Sequence, residues 1–130
     1  MSDYPILEPV FIAFLQEKFP DVKIMLAPDE YTMGGGRFAG LTCRMLPVQG
    51  TSGFQATLDV DVFDIDRTRL METAYEMIRL LYVGQNEGRF PHVSYLEVSS
   101  LPTLVRNPTP TQATRVASFA VDIAGHYRGA

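Results

Sequence analysis

Apolar residues along this chain switch between two spacings, one near 3.6 residues and one of two. Ile6, Leu7, Val10, Phe11, Phe14 and Leu15 recur at i, i+1, i+4 and i+5. That spacing makes one apolar stripe and predicts a helix over Pro5–Phe19. Asp3 is placed to cap it and Pro5 suits its first turn. Pro9 either lies within the first turns or marks the true start, and Pro20 ends the helix. Val22–Leu26 reads as a short strand closed by Pro28. Ala39–Leu46 alternates, with Leu41, Cys43 and Met45 on one side and Thr42 and Arg44 on the other. Ala56–Phe63 alternates again: Ala56, Leu58, Val60 and Val62 form a buried set, and Thr57, Asp59 and Asp61 point the opposite way. The turn between them, Pro47–Gly53, makes the two strands natural hairpin partners.

The helical spacing then returns. Leu70, Met71, Ala74, Met77, Ile78 and Leu81 form a stripe over a helix that Asp66 or Asp64 caps and that runs to about Tyr82. Gly84 reads as its stop. His92–Ser99 is expected to be a strand. Leu101–Thr114 contains three prolines and reads as an irregular excursion. Arg115–Tyr127 is the last strand, with Ala117, Phe119, Val121 and Ile123 facing inward. Its length and alternation place it inside the sheet. The order is helix, three strands, helix, two strands. Neither helix buries its stripe alone, so both are expected on one face of a single mixed or antiparallel sheet of about four to five strands, an α+β domain spanning residues 1–130.

Composition narrows the chemistry. With 130 residues, 46% hydrophobic and 20% charged, the chain has the length and balance of one globular domain. A formal charge of −4 argues against a protein that binds nucleic acid by neutralising phosphates. Cys43 is the only cysteine, which excludes an intrachain disulfide and a cysteine-based metal cluster. MSDYPILEP carries no basic segment ahead of an apolar run, so no secretory signal is expected. The apolar runs fall short of the ~20 residues a membrane helix needs.

The candidate motifs are few. Asp59 and Asp61, two apart on a strand, place both carboxylates on one face, as a DxD metal pair does. No further ligand is fixed nearby, and the string lacks the glycine of a calcium loop. The pair is therefore read as a solvated or partner-facing surface, with Arg44 on the next strand as an ion-pair partner. Gly34, Gly35, Gly36 and Arg37 do not match a phosphate loop, and they read as a surface loop that orders against partners. Together with Arg106 they are the expected interface residues. Asp29–Arg37 and Pro102–Thr114 are expected to be mobile in the free subunit. His92 and His126 have no acidic or cysteine companion in spacing, and no nucleophile signature is present. Cys43 lies on an apolar strand face, where a thiol is inert. No catalytic residue, metal or cofactor is expected.

Three stretches carry a resemblance. Asp3-Tyr4-Pro5 runs into an apolar helix that ends at Phe19-Pro20-Asp21-Val22. Leu58-Asp59-Val60-Asp61-Val62-Phe63 leads to a helix start containing Arg67 and Arg69. Glu97-Val98-Ser99-Ser100-Leu101-Pro102 is followed, after a loop, by a long final strand. In these stretches and in length the chain resembles the tail terminator proteins of long-tailed bacteriophages. The resemblance implies a small non-enzymatic virion subunit, assembled in the host cytoplasm, that forms a homohexameric ring at the neck-proximal end of the tail. Such a ring caps the major tail tube protein, stops its polymerisation, meets a neck or head-completion protein, and leaves a channel for the genome without reading its sequence. Two other classes fit the same residues: another head–tail connector, and a small ligand-binding or enzymatic domain.

Overall fold

The computed structural model describes residues 6–27, 37–48, 53–105 and 114–126. Seven elements follow one another: α1 (Glu8–Lys18), β1 (Lys23–Leu26), β2 (Phe38–Pro47), β3 (Gly53–Asp64), α2 (Arg67–Asn86), β4 (Val93–Val105) and β5 (Arg115–His126). The strands form one sheet in the order β1-β2-β3-β5-β4. β1 runs parallel to β2, and every other pair is antiparallel. This is an α+β fold with a mixed five-stranded sheet, and β5 is internal as its alternation predicts.

Both helices lie on the same face of that sheet. Phe11, Phe14 and Leu15 of α1 and Leu70, Ala74, Met77, Ile78 and Leu81 of α2 share one core with Leu41, Leu58, Val60, Phe119, Val121 and Ile123. Period 2 on the strands and 3.6 on the helices bring these residues to one layer, and burying large apolar side chains contributes ~1.5–3 kcal/mol each. Phe90, just beyond α2, joins the two helices. Its ring centroid is 4.6 Å from that of Phe11 and 4.9 Å from that of Phe14. Arg89 adds an ion pair to Glu17 at 2.7 Å.

Several boundaries differ from the sequence expectation, each for a local reason. Helix α1 begins at Glu8, with Pro9 in its first turn, where a missing N–H breaks no helical hydrogen bond. Leu7 is the N-cap and offers no side-chain cap. Ile6, expected on the buried stripe, is 73% exposed, because it precedes the helix. The expected Asp3 cap lies outside the described residues.

Helix α2 passes Tyr82 and continues to Asn86. Gly84 does not stop it. Gly84 is buried in its last turns, where an added Cβ would lie 2.7 Å from Phe90 Cζ and 2.8 Å from Phe14 Cζ. The residue that ends the helix is Gly88, at φ 71°. Its N–H donates to Gln85 C=O at 3.1 Å, and the Arg89 N–H donates to Gly84 C=O at 2.9 Å, the paired closure of a Schellman motif. Finally, β4 does not give way at Leu101 but continues through Pro102 to Val105. It is an edge strand, where a proline removes no ladder bond it needs, and its register against β5 shifts three times.

Candidate interaction surface

The helices cover one face of the sheet, and among the described residues the opposite face carries no helix; it is exposed at Arg44, Gln55, Tyr95, Glu97 and Asp122 and buried at Phe38 and Phe63. On that open face the strand registers align side chains in rows across β2, β3, β5 and β4. Arg44, Thr57, Asp122 and Glu97 form one row, and Thr42, Asp59, Ala120 and Ser100 the next. Leu46, Gln55, Ala124 and Tyr95 flank the first row, and Gly40, Asp61, Ser118 and Thr103 flank the second. Phe38 and Phe63 close the far end as a stacked pair with centroids 4.3 Å apart.

Asp59 and Asp61 lie together on this face, as their spacing requires, and both are half-buried. Arg44 Nη2 is 3.3 Å from Asp59 Oδ2, the cross-strand ion pair expected from sequence. At this exposure such a contact contributes no more than ~1 kcal/mol. The Ser118 hydroxyl donates to Asp61 Oδ1. Two further carboxylates share the face, Asp122 and Glu97, which are direct cross-strand partners. Sequence reading did not single them out. Between Arg44 and Tyr95 the face sinks into an open hollow of about 390 Å³, which Gln55, Thr57, Asp122 and Ala124 also line.

Arg37, expected with the glycine loop at an interface, makes contacts within the subunit. Its Nε lies 3.2 Å from Asp64 Oδ2, and its Nη2 donates to Thr73 Oγ1 at 2.9 Å. Asp64 is 1% exposed, and it accepts Arg69 Nε and Nη2 at 2.7 Å each and the Asp66 N–H at 3.1 Å. Burial alone would raise this carboxyl. The hydrogen bonds from Arg69 and the Asp66 N–H, with the charges of Arg69 and Arg37, outweigh burial and hold it below the usual carboxylate range. Asp66 is the helix cap, accepting the Arg69 N–H at 3.1 Å. Asp64 is instead a clamp joining the start of β2 to the end of β3 and to α2. Gly34, Gly35, Gly36 and Arg106 lie outside the described residues. So does the rest of the two segments expected to be mobile, apart from Arg37, Pro102–Val105 and Thr114.

The remaining sequence candidates form no reactive set. Cys43 faces the core side of β2, and burial, with the charges of Glu8 and Asp59, pushes its thiol up to about 12, so it stays protonated. The backbones of His92 and His126 meet, the His126 N–H donating to His92 C=O at 3.0 Å, and both side chains are exposed. Among the described residues no group of three or more His, Cys, Asp or Glu is placed to hold a metal ion. No described helix is long and apolar enough to cross a membrane.

Both edges of the sheet expose aliphatic side chains, Leu26 and Leu46 on one and Leu101 and Val105 on the other. Several edge backbone groups are already occupied: the Ile24 N–H donates to Gln16 Oε1 at 3.0 Å, and the Val98 N–H donates to the Tyr82 hydroxyl at 2.8 Å. Such caps discourage ladder extension by a stray strand at those positions. The sheet thus has one face packed against the helices, an opposite face that is largely polar, and two edges formed by different strands. No protein-family model and no curated protein matches the chain.

Proposed function

We propose that this chain is a ring-forming subunit, six to the ring, that ends a phage tail tube and joins it to the neck. The observation that carries the reading is a largely polar sheet face between two edges formed by different strands, β1 with the end of β2 on one side and β4 on the other, joined to the likeness of Asp3–Val22, Leu58–Arg69 and Glu97–Pro102 to tail terminators. A ring closes by rotation through heterologous contacts, so each subunit must offer two different complementary patches. The edges supply such a pair. β1 and β4 also run in opposite directions, so a copy rotated about an axis along the strands presents its β4 antiparallel to the β1 of its neighbour. The polar face around Arg44, Asp59 and Asp61 then meets a neighbouring subunit or the channel. The major tail tube protein and a neck protein are the other partners, and the role needs no catalysis or cofactor.

Gold-labelled protein mixed with preformed tail tubes tests this by electron microscopy. Label confined to one end of each tube is the expected result. Label along the tube wall, or on isolated connector rings and never on tubes, would count against it.

A further inference from the structure

The corner of the open face around Tyr95, Glu97 and Asp122 has features that neither the core nor the clamp explains. Glu97 and Asp122 are direct cross-strand partners, both exposed, on neighbouring strands of an antiparallel pair. Cβ atoms so placed are ~4.5–5.5 Å apart, and like charges there destabilise the strand pair. Neither carboxylate has an ion-pair partner among the described residues. The nearest guanidinium across the row, that of Arg44, is paired with Asp59. The hollow lies alongside, lined by Tyr95, Asp122 and Ala124 together with the ion-paired Arg44. The Tyr95 hydroxyl donates a hydrogen bond to Glu97, and the Tyr95 side chain is exposed.

We propose that this corner is a docking site for a basic segment of another protein, with an arginine or lysine side chain entering the hollow against Asp122 and the Tyr95 ring, and Glu97 beside Asp122 on the next strand. Charge complementarity selects the occupant. A cation relieves the like-charge pair, gains two carboxylate partners, and meets an aromatic ring of the kind that attracts guanidinium groups. A second copy placed with its two-fold axis at this corner would set the same carboxylates against each other. The inference stands apart from the ring reading, since it requires only that Tyr95, Glu97 and Asp122 be exposed on the folded chain, as they are.

A fluorescein-labelled peptide of alternating arginine and glycine is the probe, titrated by anisotropy at low salt and again at about 0.15 M. Saturable binding that weakens with salt is expected. The Glu97→Gln/Asp122→Asn variant should bind about tenfold more weakly. A Glu72→Gln/Glu87→Gln variant, with its changes on the exposed side and end of α2, should stay within about twofold of wild type. Thermal melting keeps the test sound: the first variant should melt no lower than wild type, because it loses a repulsion. Absence of saturable binding, or equal losses in both variants, would overturn the proposal. So would self-association of the wild type that the Glu97→Gln/Asp122→Asn change abolishes, which would make a second copy the occupant.

Discussion

Replacing Asp64 by asparagine is the sharpest perturbation of this fold. The Asp64 carboxylate, with its side chain 2% exposed, is held by Arg69 at 2.7 Å and by Arg37 at 3.2 Å. Asparagine keeps the shape but removes the charge, and turns an NH₂ donor towards a guanidinium that only donates. Removing one member of a fully buried ion pair costs ~3–5 kcal/mol. Here the Arg69 side chain is 46% exposed and Arg37 is 22% exposed, so both recover part of their hydration. The expected loss is therefore about 2–3 kcal/mol. Urea unfolding at neutral pH reads this as a midpoint lowered by roughly 1–2 M for a protein of this size. The pH dependence gives an independent check. The folded carboxyl titrates below its unfolded value of about 3.9. Its contribution is therefore fully present above that pH, and it is lost as pH falls through the lower, folded pKa. The gap between wild type and Asp64→Asn should close in acid. A neutral-pH midpoint within about 0.3 M of wild type, or a gap that stays constant into acid, would refute the clamp.

Three further outcomes follow from the packing and the open face. Phe14→Ala should destabilise by about 3–5 kcal/mol in urea unfolding, because its ring packs against Phe90 and is 3% exposed; a loss under about 1 kcal/mol would place the ring outside the core. Gly84→Ala should destabilise although alanine is the better helix former by ~1 kcal/mol, since its Cβ would meet two aromatic rings at under 3 Å and such overpacking costs ~1–3 kcal/mol; a melting temperature above wild type would contradict this. Asp59→Asn/Asp61→Asn should keep the far-ultraviolet spectrum of wild type, and calorimetry with magnesium or calcium should give no heat that the double change removes.

Much of this fold is legible in the sequence because each element has its own period. The stripe Leu70/Ala74/Met77/Ile78 and the alternation of Leu58/Val60/Val62 each require one buried side. The hairpin linking β2 and β3 puts Arg44 within reach of Asp59 without further information. What escaped depends on distant neighbours. Gly84 carries the residue type of a helix stop, and only the rings of Phe14 and Phe90, brought from elsewhere, explain a glycine inside the helix. Pro102 looks like a strand breaker until β4 is known to be an edge. Asp64 follows the strand like any capping acid, and nothing local shows that Arg37 returns to it. Glu97 and Asp122 become partners only through a β4–β5 register containing three shifts, which alternation cannot supply.

The measurement that bears most directly on the ring-and-cap account is tube length against dose. Purified tail-tube subunits are allowed to polymerise with increasing amounts of this protein, and the lengths are measured on electron micrographs. The account predicts that mean length falls as the dose rises, with a ring-shaped density closing one end of each tube. Tubes that grow without limit and stay open-ended at every dose would contradict it.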